Sequence, residues 1–422
     1  MAYDKVIDSA QLEAQMTDLA DTIRKKCNSS EKLVWPDGYQ TAIEGLSLEN
    51  PQFFDGMDPD TVYRTTRPKD WLALPIPGDD EIYLLGLIPE GADGVFTAEI
   101  TFSGSCGVEI GNLVNGEFTA KETVTPTSNT RFYHTLYGND YGDITSDGCK
   151  QYIVRISGSV TQAALHPESI AAYSFGVPMI VDAIIGKDAN ILFGNNTTLG
   201  DNCNYLRYAR FVGNGSYGTG LLNFRYCQNL LSVSMEKKST ASSMNYFFNG
   251  CKRLMAVSEN VFPENASYNY TFQDACIPAF PPNLKLTPNQ SITGIFRGST
   301  VNYRMDFTDI DFSKCGNFTY LVYGSNIQAI ENLDISGMTN TMSMFNLCKL
   351  IKLTFSGETT PGGWTIALEN QRMSHKALVA MIHSLPMAIA EATITLTGNP
   401  GASALTDAEI AVATAKNWTV TV

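Results

Sequence analysis

The chain is poor in the residues that hold phosphate, metal or a reacting group. Lys and Arg number 29 against 43 Asp and Glu, a formal net charge of −14. The imbalance lies in the first 175 residues, and residues 176–422 are balanced. Nucleic-acid binding depends on cations that neutralise the phosphate backbone. With no basic patch, a nucleic-acid partner is not expected. Only four histidines occur, His134, His166, His375 and His383, and none stands in a metal-ligand spacing. His375 and His383, on one expected helix, read as surface or cap residues rather than a metal pair. No Walker loop, dinucleotide fingerprint or nucleophile elbow is present. The Gly-rich stretch 213–220 lacks the lysine of a phosphate loop and reads as a turn. Asp55, Asp58 and Asp60 lack the alternating ligands and the terminal Glu of a calcium loop, and read as a linker. Asp79, Asp80 and Glu81 read as a solvated turn. No catalytic residue, metal ligand or cofactor is assigned, and the chain is expected not to be an enzyme.

Apolar runs are short as well. No stretch of about 18 apolar residues exists, so no membrane span is expected. The first residues lack a basic region followed by an apolar core, so no secretory signal is expected. Nine cysteines are an odd count, and no C-x-x-C pair occurs among them. Cys203, Cys227, Cys251, Cys276 and Cys348 lie in or beside a repeated pattern. A thiol that recurs in register reads as a small buried residue rather than half of a disulfide. Free thiols fit synthesis in a reducing cytosol.

What the chain has is a period. Phe224, Phe248, Phe272 and Phe296 are each 24 residues apart, and Tyr323 and Phe345 continue the series. Cys227, Cys251 and Cys348 each follow their ring by three residues. Cys276 follows Phe272 by four. A fixed period of 20–29 residues marks a leucine-rich-repeat solenoid, in which each unit buries its apolar edge only against its neighbours. Phe224, Phe248, Phe272, Phe296, Phe345, Cys227, Cys251 and Cys348 are therefore the expected repeat core. A long repeated surface suits binding better than bond-making.

Around the array the text changes character. Leu12, Met16, Leu19 and Ile23 fall on one helical face within residues 8–27. Trp35, Pro36, Asp37 and Gly38 make a turn before a second short stretch at 39–46. From about 71 to 175, short β-type runs at 82–88, 95–102, 107–113 and 152–156 alternate with turns. Asn115-Gly116 is a two-residue hairpin signal. Regular short strands with such turns argue for a β-sandwich or jelly roll. After the array, a helix opens at Ser374 and stops at Pro386. Thr406 and Glu409 form a capping-box pattern before another. The expected fold is multidomain α+β. Residues 1–50 are a helical attachment segment and 51–175 a β-sandwich domain. Residues 176–365 are a leucine-rich-repeat solenoid, and 366–422 an α/β capping unit.

Two resemblances follow from these residues. The run from Asp334 through Met338, Met342, Met344, Phe345 and Cys348 to Leu350 resembles the BspA-type leucine-rich repeat of bacterial surface proteins. The copy at Phe296 lacks the thiol, and 278–282 is Pro-rich. Val6 to Leu12, the Trp35 to Gly45 stretch, and the segments at Trp71, Glu81 and Ile88 resemble structural proteins of tailed bacteriophages and prophages. That resemblance implies a virion protein made in the host cytoplasm: a tail fibre, baseplate or head-fibre appendage. Its implied partners are other virion proteins through the N-terminal segment, and a bacterial surface glycan or protein. Leu12, Met16, Leu19 and Ile23 would serve attachment and oligomerisation, with a homo-oligomer expected, most simply a trimer. Tyr133, Tyr137 and Tyr141, beside amides and carboxylates, are candidate glycan or receptor contacts. The alternative for them is a Tyr-rich hairpin packed on its own domain. Competing functions are a bacterial BspA-like adhesin and a polysaccharide-degrading tail spike.

Overall fold

The computed structural model describes residues 58–142, 144–165, 179–186, 191–193, 203–212, 224–264, 266–276, 290–300, 304–308, 310 and 312–422. Leu12, Met16, Leu19 and Ile23 lie outside the described residues. The described part is mostly β, with three α-helices and a β-solenoid of about eight turns.

The stretch around Asp58-Pro59, read above as linker, opens a helix, α1 (Pro59–Thr66). Proline suits the first helical position because the N–H it lacks would be unpaired there anyway. Asp60 and Arg64 sit at the ends their charges favour. Val62 joins Trp71, Leu85, Ile153, Val181 and Tyr208 in a small core on one face of the main sheet.

That sheet begins with β1 (Glu81–Pro89), β2 (Gly94–Val114), β3 (Glu117–Val124), β4 (Thr130–Leu136), β5 (Cys149–Leu165) and β6 (Met179–Ile185). It continues through β7 (Ile191–Leu192), β8 (Tyr208–Phe211), β9 (Ser232–Met235) and β10 (Ala256–Val257). The order is β10-β9-β8-β6-β1-β5-β2-β3, with β4 on β2 and β7 on β5. β1 is buried on both faces. Ile82, Leu84 and Ile88 enter the large core, while Tyr83, Leu85 and Leu87 enter the small one. Alternate side chains leave a strand on opposite faces, so a near-continuous apolar run is what this position needs. Asn115 and Gly116 both have positive φ, 54° and 85°, as a two-residue type I′ hairpin requires.

The runs 95–102 and 107–113 are one strand, β2, and not two. Its pairing with β5 shifts register between Phe102 and Cys106 and then resumes. Ser103, Gly104 and Ser105 resemble a turn in sequence but form a bulge, with Gly104 at φ 88°. The first half of β2 pairs with β4 and the second half with β3. Both halves place residues in the same large core: Phe96 and Ile100 from one, Val108 and Ile110 from the other.

The sheet changes direction at β6, which is antiparallel to β1 and parallel to β8. From there the ladder is parallel, Tyr208 to Ser232 to Ala256. The sheet thus runs unbroken across residue 175 into the coil. Farther on, β11 (Gln290–Ser291) pairs with β13 (Cys315–Asn317). β12 (Arg304–Asp306), β14 (Ala329–Asp334) and β15 (Lys352–Ser356) make a second parallel ladder.

Opposite the strands, each turn crosses a run of overlapping β-turns. In the turn around Phe248, the N–H groups of Tyr246, Phe248 and Gly250 donate to Asn269, Thr271 and Gln273 of the next turn. The alternate N–H groups of Phe247, Asn249 and Cys251 donate three residues back. Every backbone donor here is satisfied, half within the turn and half between turns, as a buried backbone demands.

The rings form a column. Phe193, Phe224, Phe248, Phe272 and Phe296 stack with successive centroids 5.4, 5.8, 5.5 and 6.0 Å apart, and all are fully buried. Phe296 then donates its N–H to Leu321, and Val322 to Met344. The fifth position of the series is therefore Val322. Tyr323, read above as that member, is the next residue outward. Phe345 is again fully buried.

The thiols follow the same register. Cys251 donates to the Phe224 carbonyl at 3.0 Å and Cys348 to the Val322 carbonyl at 2.9 Å. Cys227 points to the Phe193 carbonyl at 3.7 Å. In the Phe272 turn Ala275 takes that place, which leaves Cys276 partly exposed. Cys227, Cys251 and Cys348 are buried and their thiols are free, as are those of Cys106, Cys149, Cys203 and Cys276.

The end of the coil carries β16 (Thr359–Gly362), β17 (Thr365–Ala367), α2 (His375–Ser384), β18 (Met387–Ala390), β19 (Ala392–Thr395), α3 (Asp407–Thr414) and β20 (Trp418–Thr421). β17, β19 and β20 continue the parallel pairing. Ser374 caps α2, and Thr406 with Glu409 forms a full capping box on α3. Trp418 is buried against Trp364 and donates its indole N–H to Pro386.

Candidate functional site

The β-turn run needs a left-handed residue two before and two after each column position. After the column these are Tyr226, Gly250, Asp274, Gly298, Gly324 and Leu347. Before it they are Tyr246, Tyr270, Gly294, Tyr320 and Ser343. Glycine is the natural occupant of such positions. Four tyrosines occupy them instead, at φ between 55° and 60°. A bulky side chain there is an outlier.

Their rings are laid along the coil. Tyr246 stacks on Tyr270 with centroids 4.9 Å apart and planes within 18°. Tyr270 in turn covers Gly294, where a Cβ would stand 2.4 Å from the ring. Tyr226 covers Gly250 in the same way at 2.5 Å. The backbone favours glycine at these two positions, and the ring above each leaves no room for a side chain.

Two arginines complete the face. Arg225 and Arg297 each follow a column residue directly. The Arg225 guanidinium lies over Tyr226 and over Tyr246 of the next turn, at 5.1 and 4.7 Å. Arg297 lies 5.4 Å from Tyr320 of the next turn and 5.5 Å from Tyr323. The same pairing thus recurs in register, three turns apart. Between them the ladder is amide: Arg225 Nε donates to Asn249 Oδ1 at 3.2 Å, and Asn249 donates to the Gln273 carbonyl at 2.9 Å. Burial and the neighbouring Tyr270 push the Tyr246 hydroxyl up, against Arg225 and Arg297, which pull it down.

Neither Arg225 nor Arg297 has a carboxylate partner among the described residues. Two other basic groups of the coil do. Arg304 meets Glu331 at 2.5 Å, and Lys352 meets the other oxygen of the same carboxylate.

A second polar cluster lies under α1. Asp182, fully buried on β6, accepts from Arg67 at 2.8 Å and from the Tyr63 hydroxyl at 2.9 Å. Arg210 stacks on Tyr63 at 4.2 Å and Arg207 on Trp71 at 5.3 Å. Burial pushes the Asp182 carboxyl up, opposed by the Arg67 and Arg210 charges. Asp182 is fully buried and Tyr63, Arg67, Arg207 and Arg210 are half-buried around it, and the cluster pins α1 to the sheet.

The three tyrosines picked from sequence do not form one surface. Tyr133 and Tyr137 are more than half exposed. Tyr141 is fully buried, packed on Tyr152 and donating to Glu122 at 3.3 Å. Its role as a ligand contact is thereby corrected: an aromatic residue after a short turn faces the core here. His134 bonds to the same Glu122 at 2.5 Å. His375 pairs with Glu409 at 3.0 Å across α2 and α3.

Sequence reading missed Arg225, Arg297 and the left-handed tyrosines. The available signal was their register, since each sits at a fixed offset from the Phe column. Among the described residues no group of His, Cys, Asp and Glu is placed to hold a metal ion, and no helix is long and apolar enough to cross a membrane. No family model, curated protein or solved structure matches the chain.

Proposed function

We propose that the chain is a non-enzymatic recognition protein of a tailed-phage particle, presenting the side of its coil to the bacterial envelope. In this reading residues 1–50 hold it to the particle as an oligomer, most simply a trimer. The antiparallel part is a β-sandwich spacer, and the coil is a leucine-rich-repeat solenoid of the BspA type. The carrying observation is the stack of tyrosines in left-handed positions with two arginines lacking counter-ions. Strained residues that persist in a fold point to function. Planar rings, hydroxyls and guanidinium groups in a row are recognition chemistry, and among the described residues of this face no pair of carboxylates is placed for glycoside cleavage.

The test has two arms. Purified protein is sedimented with envelope fragments from a panel of bacteria, and the supernatant is assayed for released sugar. The expected result is retention by some envelopes, weakened in Tyr246→Ala/Tyr270→Ala, with no sugar released. Retention by none would overturn the recognition reading, and released sugar would overturn the non-enzymatic one. In the second arm, deletion of residues 1–50 is expected to abolish incorporation into particles. Incorporation of the truncated chain would place attachment elsewhere.

A further inference from the structure

We infer that the Arg225–Arg297 face binds an acidic glycan polymer lying along the coil axis, with its carboxylate or phosphodiester groups on the two guanidinium ions. This rests on the recognition reading above and names the ligand class.

The argument starts from charge. The protein is acidic overall, with formal net charge −14. Two half-buried guanidinium groups without a carboxylate are therefore conspicuous. Arg225 uses Nε on Asn249, and its two terminal nitrogens have no protein acceptor among the described residues. Each guanidinium lies over a tyrosine ring of the next turn, at 4.7 and 5.4 Å, which restricts its freedom before a ligand arrives. A guanidinium presents parallel donors to a planar or tetrahedral oxyanion.

Repetition then gives direction. The two sites occupy the same offset from Phe224 and Phe296, three turns apart. The turns carrying them are spaced by 5.8, 5.5 and 6.0 Å between ring centroids and by 4.9 Å between Tyr246 and Tyr270, so the guanidinium groups stand about 14–17 Å apart along the axis. Tyr246 and Tyr270 lie between them, while Asn249 is buried beneath the face and spends its amide on Arg225 and the Gln273 carbonyl. Tyrosine edges and hydroxyls suit the hydroxyl-rich, partly apolar surface of a sugar chain. A polymer with regularly placed acid groups can engage both sites at once, and linked contacts multiply.

Duplex DNA is a weaker fit. Its affinity comes from many phosphate contacts, and this face offers two. A protein partner would need a broader apolar centre than these half-buried rings supply.

The test uses the full chain and defined polymers: polygalacturonate for the carboxylate arm, poly(glycerol phosphate) for the phosphodiester arm, and neutral dextran and duplex DNA as controls. Binding is measured by titration calorimetry for the wild type, Arg225→Gln/Arg297→Gln and Arg225→Lys/Arg297→Lys. At least one acidic polymer is expected to bind. Each lost guanidinium contact should weaken it about tenfold or more, and affinity should rise for oligomers long enough to span about 14–17 Å. The Lys pair keeps charge without the planar fork and should fall between the other two. It also serves as the readout if the Gln pair does not fold. Dextran binding as tightly as the acidic polymers would overturn the inference. So would DNA competing equally, or Arg variants binding unchanged. Envelope retention without binding to either acidic polymer would leave recognition standing and remove the acidic class. Failure of both would remove both.

Discussion

Replacing Phe248 by Ala probes the principle on which the coil is built. The ring is fully buried. It stacks between Phe224 and Phe272, at 5.8 and 5.5 Å, and meets the edge of Phe247 at 4.7 Å. Truncating a buried Phe to Ala costs about 3–5 kcal/mol, from lost transfer energy plus the cavity left behind. How far the site can collapse decides where in that range a position falls. Here the backbone on both sides is fixed: Phe248 donates to Thr271 and Phe224 donates to Phe247. Collapse would have to break hydrogen bonds between turns, so the cost belongs in the upper half of the range. Turns in a solenoid are stabilised mainly through nearest-neighbour interfaces, and this ring belongs to two of them. Loss of one ring should therefore also reduce cooperativity. Urea unfolding, followed by circular dichroism and by tryptophan fluorescence, reads both effects. The expected result is a lower midpoint and a transition that differs between the two probes. A loss under about 1.5 kcal/mol with probes still coincident would refute the stacked-column account.

Arg67→Met should destabilise the protein by about 3–5 kcal/mol, because it strands the buried Asp182 carboxylate; Arg67→Met/Asp182→Leu should recover most of that in the same urea assay. Hydrogen bonds from the Thr406 backbone, then from His375 and the Thr406 side chain, hold Glu409 down to about 2. Its folded value lies below its unfolded one, so its stabilising contribution is complete above about pH 4.5 and fades as pH falls toward 2; NMR titration of Glu409 and the flatter acid limb of Glu409→Gln check this. Burial raises the thiols of Cys227, Cys251 and Cys348 and also those of Cys106, to about 11, and Cys276, so access decides the order: among the described cysteines, native protein at pH 8 should be alkylated first at partly exposed Cys106 and Cys276, as peptide mapping would report.

The coil was legible because a repeat returns each residue to the same depth, and aromatic rings mark that depth in the text. The reading slipped where depth and residue type part. Val322 fills the column as well as a ring does, so the eye moves one residue on to Tyr323. Phe193 was missed because more than one repeat length of chain separates it from Phe224. The hairpin at Asn115-Gly116 and the caps at Ser374 and Thr406 were readable because each depends on neighbours in sequence. Asp182 was not, since Tyr63 and Arg67 reach it from more than a hundred residues away. Nor was the union of the antiparallel part with the coil. β6 reads as one more apolar strand, and nothing local announces that its far edge is parallel.

The left-handed tyrosines raise a question of energy that the fold alone does not answer. A bulky residue held at positive φ costs about 1–3 kcal/mol, and glycine at the same offset, as at Gly294, avoids it. Tyr246 regains an aromatic stack on Tyr270, about 0.5–1.5 kcal/mol, and a cation–π contact with Arg225, about 0.5–1 kcal/mol. Strain and ring contacts nearly cancel, and partial burial of the ring with the chain entropy that glycine would lose leaves about 1–2 kcal/mol in favour of tyrosine. That margin is small beside the strain, whereas a surface that must present a ring and steady a guanidinium needs the side chain outright. Tyr246→Gly should accordingly cost no more than about 2 kcal/mol of unfolding free energy while releasing Arg225 and weakening envelope retention. A large stability loss with retention unchanged would show the opposite: that the tyrosine stack exists to hold the turns together, and that the recognition surface lies elsewhere on the molecule.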